Sequence, residues 1–241
     1  MNTLNFRKAA ALFALGVLVL SATIATGVRA QSPAVDPAAT QILHRMTDYV
    51  GSLQKFSVRT QNTLEDLLVS GHRVDFDVSA DVVLSRPNKL HAARKGELID
   101  QAFYYDGKTL TLYNPSDKVY ATEPAPGTIE EMLDFARETL GLIVPVADLV
   151  YRNAYPLLIQ DVNMAVVIGK SFIGGIRCDH LLFSRPGVDF QVWVADSGKP
   201  LPYKYVVTDT GIPTRLSITT VMSNWNVAPA VADARFTFVP P

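Results

Sequence analysis

The chain has 241 residues, 48% of them hydrophobic, with 22 basic against 23 acidic side chains and a formal net charge of −1. With no basic surplus and no block of like charges, it lacks the electrostatic footprint that nucleic-acid phosphates demand. Cys178 is the only cysteine, which excludes an intramolecular disulfide and leaves packing to hold the fold.

Residues 1–30 read as a secretory signal. Arg7 and Lys8 give a positive start, residues 9–20 form an apolar run, and Val28-Arg29-Ala30 supplies a small-x-small cleavage pattern before Gln31. The run is short of the roughly 20 residues a membrane span needs, so cleavage near Ala30-Gln31 and export to the periplasm are expected. No cysteine near the cut invites lipid attachment. Losing Arg7, Lys8 and Arg29 takes 22 basic residues to 19 against 23 acidic, a net charge of about −4 for the mature chain. Residues 31–241 suit one domain and a monomer.

Asp36-Pro37 is a helix start, with the acid as cap and proline in the first turn. Ile42, Leu43, Met46, Val50 and Leu53 follow at helical spacing, predicting a helix to about Gln54. From Phe56 the period becomes two. The clearest strand follows a turn at Ser70-Gly71, where Val74, Phe76, Val78, Ala80, Val82 and Leu84 alternate with mostly polar residues. Arg86-Pro87-Asn88 ends it. Further strands are expected at 90–94, 102–105, 108–113 and 118–122, with Asp106-Gly107 as a hairpin turn.

After the proline-rich break at 124–127, Thr128-x-x-Glu131 is a capping box. Ile129, Met132, Leu133, Ala136 and Leu140 form the helical stripe, Gly141 ends it, and residues 146–151 add a helical turn. Strands are then expected at 165–168, 173–184, 190–195, 203–208, 216–224 and 236–239. The fold class is mainly β with helices (α+β): one long, bent antiparallel sheet, a leading helix, and a helical insertion at about 127–151.

Catalytic patterns mostly fail. Cys178 and His180 share one strand face and fit a thiol with its base, or two metal ligands. They fit a buried cysteine beside a half-exposed histidine better, since no other cysteine or close histidine completes a site. The row Asp75, Asp77, Ser79, Asp81 lacks the glycine and glutamate of a calcium loop. Gly169-Lys170-Ser171 lacks the first glycine of a phosphate loop, and no Gly-x-Ser-x-Gly elbow is present. The sequence therefore points to no enzyme, no metal and no cofactor.

The order of helix, strand, Arg86-Pro87-Asn88, then Asp106-Gly107-Lys108-Thr109-Leu110 and Tyr113-Asn114-Pro115, resembles the LolA periplasmic carriers of outer-membrane lipoproteins. The ending Asp233-Ala234-Arg235-Phe236-Thr237-Phe238-Val239-Pro240-Pro241 resembles their closing strand. Cys178-Asp179-His180-Leu181, Phe190-Gln191-Val192-Trp193, Pro200-Leu201-Pro202-Tyr203-Lys204 and Trp225-Asn226 look more like a related branch of predicted periplasmic proteins. The resemblance implies an open half-barrel whose concave apolar face is covered by helices and receives acyl chains. It also implies that Arg86 points to the lid and hydrogen-bonds to it; read alone, Arg86 could equally precede its proline with its head in water.

On this reading the ligand, a lipid or lipidated protein, would meet Val74, Phe76, Val78, Val82 and Leu84 on the clearest strand. Phe190, Val192, Val194, Leu216 and Ile218 would line the later strands, while Met132, Leu133 and Leu140 face them from the lid. The bland alternative is a closed core of the same residues. A half-barrel that docks an envelope protein as sensor or scaffold is a second alternative, and an enzyme using Cys178 and His180 a third.

Overall fold

A computed structural model describes residues 34–125, 127–142 and 146–241. The signal segment expected over residues 1–30, with its cut before Gln31, lies outside the described residues. One compact unit spans Pro33–Pro241, and no helix among the described residues is long and apolar enough to cross a membrane.

Helix α1, Pro37–Ser52, begins as the sequence implies: the Asp36 carboxylate accepts the Ala38 N–H at 2.8 Å, satisfying one of the orphan donors of the first turn. Its buried stripe is Ala39, Leu43, Met46 and Val50. Six strands follow as a meander: β1 Lys55–Leu67, β2 Arg73–Ser85, β3 Lys89–Gly96, β4 Asp100–Tyr105, β5 Thr109–Asn114 and β6 Val119–Pro124. The helical segment holds α2 Ile129–Glu138, a 3₁₀ turn Ala147–Val150 and α3 Ala154–Ile159. A second meander completes the sheet: β7 Met164–Ile173, β8 Ile176–Arg185, β9 Val188–Ala195, β10 Pro202–Asp209 and β11 Ser217–Asn226.

The two meanders join where β1 pairs with β11, giving one eleven-stranded antiparallel sheet, open and curved, in the order β6-β5-β4-β3-β2-β1-β11-β10-β9-β8-β7. Alternation puts every second side chain of each strand on the concave face. There the register aligns Phe56, Leu84, Leu90 and Tyr105 in one row and Val58, Val82, Ala92 and Phe103 in the next. The helices lie over this face.

Four expectations need correction. The strand expected at 236–239 is absent: Asp233–Phe236 is a 3₁₀ turn that buries Phe236 and puts Asp233 2.6 Å from Lys89 on β3. Phe238 then sits among the rings of Tyr104, Tyr113 and Tyr120, so side-chain packing on the outer face replaces a ladder. The strand expected at 173–184 starts only at Ile176, because Gly174 and Gly175, at φ +55° and +81°, turn the chain in the left-handed region. Leu216 lies just outside β11. The helical insertion runs on to Ile159 through α3, whose six residues are too short to show a period and whose Pro156 sits in the first turn, where proline is tolerated.

Candidate ligand cavity

Between the concave face and α2 lies a cavity of about 450 Å³. Its wall is the inward phase of β1 to β4: Phe56, Val58, Val78, Ala80, Val82, Leu90, Ala92 and Phe103. Its roof is Met132, Leu133 and Ala136 of α2, with Leu142, Val146 and Leu149 after it. The space exists because the middle of the wall is small. Ala80 stands opposite Thr60, and Ala92 opposite Val82, where larger side chains would meet the lid.

The wall carries polar atoms in one quarter, and the protein itself engages them. Asn62 donates its amide to Val78 O at 3.1 Å and to Thr60 Oγ at 3.0 Å, and its carbonyl oxygen accepts the Thr220 hydroxyl at 2.7 Å. Arg94, opposite Ala80 on β3, donates from Nε to Gln101 Oε1 at 2.9 Å and lies 4.9 Å over the Phe103 ring. Burial lowers the Arg94 pKa. Buried polar groups that bond one another leave a wall that behaves as apolar towards a ligand.

The lid is tied down at its first turn. The Thr128 hydroxyl accepts the Glu131 N–H at 3.2 Å while the Glu131 carboxylate accepts the Thr128 N–H at 3.1 Å, the capping box foreseen in the sequence. The Ile129 N–H donates to Pro87 O at 2.9 Å. Arg86 is the knot: its side chain is only 1% exposed. It donates from Nε to Leu53 O at 3.1 Å, from one terminal nitrogen to Glu130 Oε1 at 2.9 Å, and from the other to Val150 O at 2.6 Å. One guanidinium thus joins the end of α1, the start of α2 and the end of the 3₁₀ turn. Burial lowers its pKa first, and the Glu130 carboxylate opposes that. The Tyr151 hydroxyl donates to Asp134 at 2.7 Å and closes the far side of α2.

Of the residues expected to meet the ligand, Val78, Val82, Met132 and Leu133 border this cavity. Leu84 is fully buried in the core below it. Phe190, Val192 and Val194 are buried too, but in the core of the second meander. Val74 and Phe76 continue the inward phase of β2 past the cavity and are half-buried, as are Leu216 and Ile218, the latter opposite Leu64. Leu140 is a correction: α2 ends before it, Gly141 at φ +65° reverses the chain, and Leu140 is left exposed while Leu142 faces the cavity. Thr60, Asn62, Ala80, Ala92 and Phe103 were missed as wall residues. Their phase is visible in the sequence, but their position opposite the lid depends on strand register, which is not.

Cys178 and His180 share a strand, as expected, yet form no pair in the structure. Cys178 is fully buried, and burial, helped by Asp196 and Asp179, pushes its thiol up to about 11. His180 stacks on Trp193 at 4.0 Å and pairs with Gln191 at 2.8 Å. A buried thiol held neutral at physiological pH is a poor nucleophile. Among the described residues no His, Cys, Asp or Glu cluster could hold a metal.

None of the curated proteins matches this sequence. Among solved structures, the chain is similar to the lipoprotein LppX of Mycobacterium tuberculosis, at 16% identity over 82% of this chain and 100% of that one, with a TM-score of 0.48. LprF from Mycobacterium bovis gives 16% identity, coverage of 83% and 97%, and a TM-score of 0.49. A LolA superfamily protein from Nitrosomonas europaea gives 12%, coverage of 83% and 97%, and a TM-score of 0.40. The family described as predicted periplasmic protein, DUF2092, matches residues 39–241, and the chain belongs to that family.

Proposed function

We propose that the protein binds and carries a hydrophobic ligand, a lipid or the acyl chain of a lipoprotein, in the cavity under α2. The observation that carries this reading is the cavity itself: about 450 Å³ of space between the sheet and α2, with walls that are mostly apolar. That volume falls in the usual range for ligand pockets, roughly 300–1,000 Å³. Each methylene buried contributes about 0.8 kcal/mol, so one long chain gains on the order of 10 kcal/mol gross. Lost chain entropy and lid contacts given up offset much of it. The affinity left is moderate, which suits a carrier that must also release.

The mechanism is passive. Entry requires α2 to lift from the sheet, and Arg86 is the group whose bonds to α1, α2 and the 3₁₀ turn resist that movement. The chain then lies along Val58, Ala80, Val82 and Ala92, with Met132 and Leu133 closing over it.

Native mass spectrometry of protein purified from the periplasm, followed by extraction and lipid identification, tests the reading. A co-purifying acyl compound, or uptake of a fluorescent fatty acid that Ala80→Trp abolishes, is expected. Uptake that survives Ala80→Trp in a folded variant, or no uptake and a clean apo mass, removes the cavity as the site and favours docking of an envelope protein instead.

A further inference from the structure

The β1–β2 hairpin outreaches its neighbours. Its own pairing continues to Leu67 opposite Arg73, but β11 leaves β1 after Leu64 and β3 leaves β2 at Val78. Residues 65–67 and 73–75 therefore pair only with each other and carry the turn out from the sheet edge. At its apex Leu67, Leu68 and Val69 are 40%, 45% and 111% exposed. Residues 67–71 carry no charge. Contiguous apolar exposure of this kind at the tip of an exported protein is unusual and marks a contact surface.

The spike is braced rather than loose. Arg73 donates to Glu65 at 3.1 Å and to Thr214 O at 2.6 Å, and Glu65 also accepts the Ser217 N–H at 2.8 Å, fixing the hairpin to the β10–β11 turn. Three amides of the apex are paired locally: the Leu68 N–H donates to His72 O at 2.9 Å, the Gly71 N–H to Leu68 O at 2.8 Å, and the Leu67 N–H to Asp66 at 2.7 Å. An uncharged apex with part of its backbone paired leaves bulk water for the membrane interface at less cost than a charged turn would. Behind it, Val74 and Phe76 on the inward phase of β2 run on to Val78, and Leu64 on β1 borders the cavity. A mostly apolar path thus runs from below the tip to the cavity, with the Asp66 carboxylate opposite Val74 at its outer end. On the same sheet edge, Leu98 in the β3–β4 turn and Ile212 in the β10–β11 turn are also exposed.

We infer that this hairpin tip docks on a lipid bilayer, inserting Leu67, Leu68 and Val69 at the interface while the track behind it leads acyl chains to the cavity. A bilayer suits the tip better than a protein partner on two grounds. The tip is convex and needs no shaped groove, and it is continuous with the route a lipid cargo would take. Glu65, Asp66, His72 and Arg73 below the apex mix both signs, so they sit among headgroups without preference for lipid charge. For its purpose this inference rests on the cavity being a lipid site.

Flotation of the mature protein with phosphatidylcholine vesicles, and separately with vesicles of phosphatidylethanolamine and phosphatidylglycerol, is the test, with Val69→Asp and Leu68→Ser beside the wild type. Association with both compositions is expected. It should fall on the order of tenfold or more in Val69→Asp and less in Leu68→Ser. Thermal unfolding of the variants should be unchanged, since both residues are exposed. Uptake of a water-soluble fluorescent fatty acid, kept below its micellar concentration, should also be unchanged. Vesicle binding equal in Val69→Asp and wild type overturns the docking surface. No vesicle binding by the wild type also overturns it and points to a protein at the tip. Tip-dependent vesicle binding by a protein that takes up no fatty acid keeps the docking surface and defeats the cavity reading alone.

Discussion

The two halves of the concave face begin from the same alternation and end differently. Over the second meander, Leu181, Phe183, Phe190, Val192 and Tyr205 project inward and are buried in one core with Ala39, Leu43 and Met46 of α1. The Phe183 and Phe190 rings stack at 4.8 Å. Over the first meander the middle positions are Thr60, Ala80 and Ala92, and the cover is a ten-residue helix fastened mainly at its start. A sheet of one phase thus becomes a sealed core or a cavity according to side-chain size at a few central positions and the reach of the helix above them.

The contrast is broken most sharply by truncation on either side. Phe190→Ala opens a void in the sealed half and should cost about 3–5 kcal/mol in urea unfolding, with ligand uptake intact in the folded fraction. Val82→Ala enlarges space that already exists and should cost about 1 kcal/mol while altering uptake. Equal costs at the two positions would mean that the cavity closes in solution.

Arg86→Leu should cost about 3–5 kcal/mol, since it removes a buried ionic partner of Glu130 and strips the Leu53 and Val150 carbonyls of a donor. Protease cleavage within residues 125–153 should then accelerate, because those bonds hold the covering segment. Unchanged ligand affinity together with unchanged cleavage would remove Arg86 from the control of the lid.

Much of this division lay within reach of the sequence. The Asp36 cap, the capping box at Thr128, the long alternation of β2 and the Asp106-Gly107 turn each act within a few residues, and each is found in the structure. The lid end of Arg86 was reached through family resemblance, since three of its acceptors come from segments up to 64 residues away. Phe190, Val192 and Val194 alternate as cleanly as Val78 and Val82. Periodicity says which residues face inward and is silent on what covers them. Phe236 and Phe238 misled for the related reason that an apolar alternation serves equally for a strand and for a tail pressed against tyrosines.

The outer face has its own contrast with the cavity, through acid. His91 lies on β3 under the C-terminal tail, 3% exposed, with its Nδ1 lacking a hydrogen bond among the described residues. Tyr104 meets it edge-on at 4.8 Å, and Arg235 faces it from the tail. Burial, and then Arg235, lower its pKa from 6.5 to about 4. Because the folded value lies below the unfolded one, protonation favours the unfolded chain. Stability is fully present above about pH 6.5 and is lost progressively as pH falls towards about 4, by roughly 3 kcal/mol. His91→Phe should flatten that part of the stability profile, whereas a slope that persists would assign it to other groups.

The smallest expected effect isolates the lid from the sheet. Thr128→Ala deletes the hydroxyl that accepts the Glu131 N–H, and a lost cap of this kind costs about 1 kcal/mol. Tyr105 still donates to Thr128 O, and Ile129 to Pro87 O, so the helix stays in place while its first turn frays more readily. If opening of α2 limits release, the off-rate of a bound fatty acid should rise about fivefold, since 1.4 kcal/mol corresponds to tenfold. The on-rate should rise with it, leaving affinity nearly unchanged, because the cap is lost from the closed lid both with and without ligand. A change in affinity without a change in rates would place the helix start in direct contact with the ligand, and α2 would then be part of the wall rather than its door.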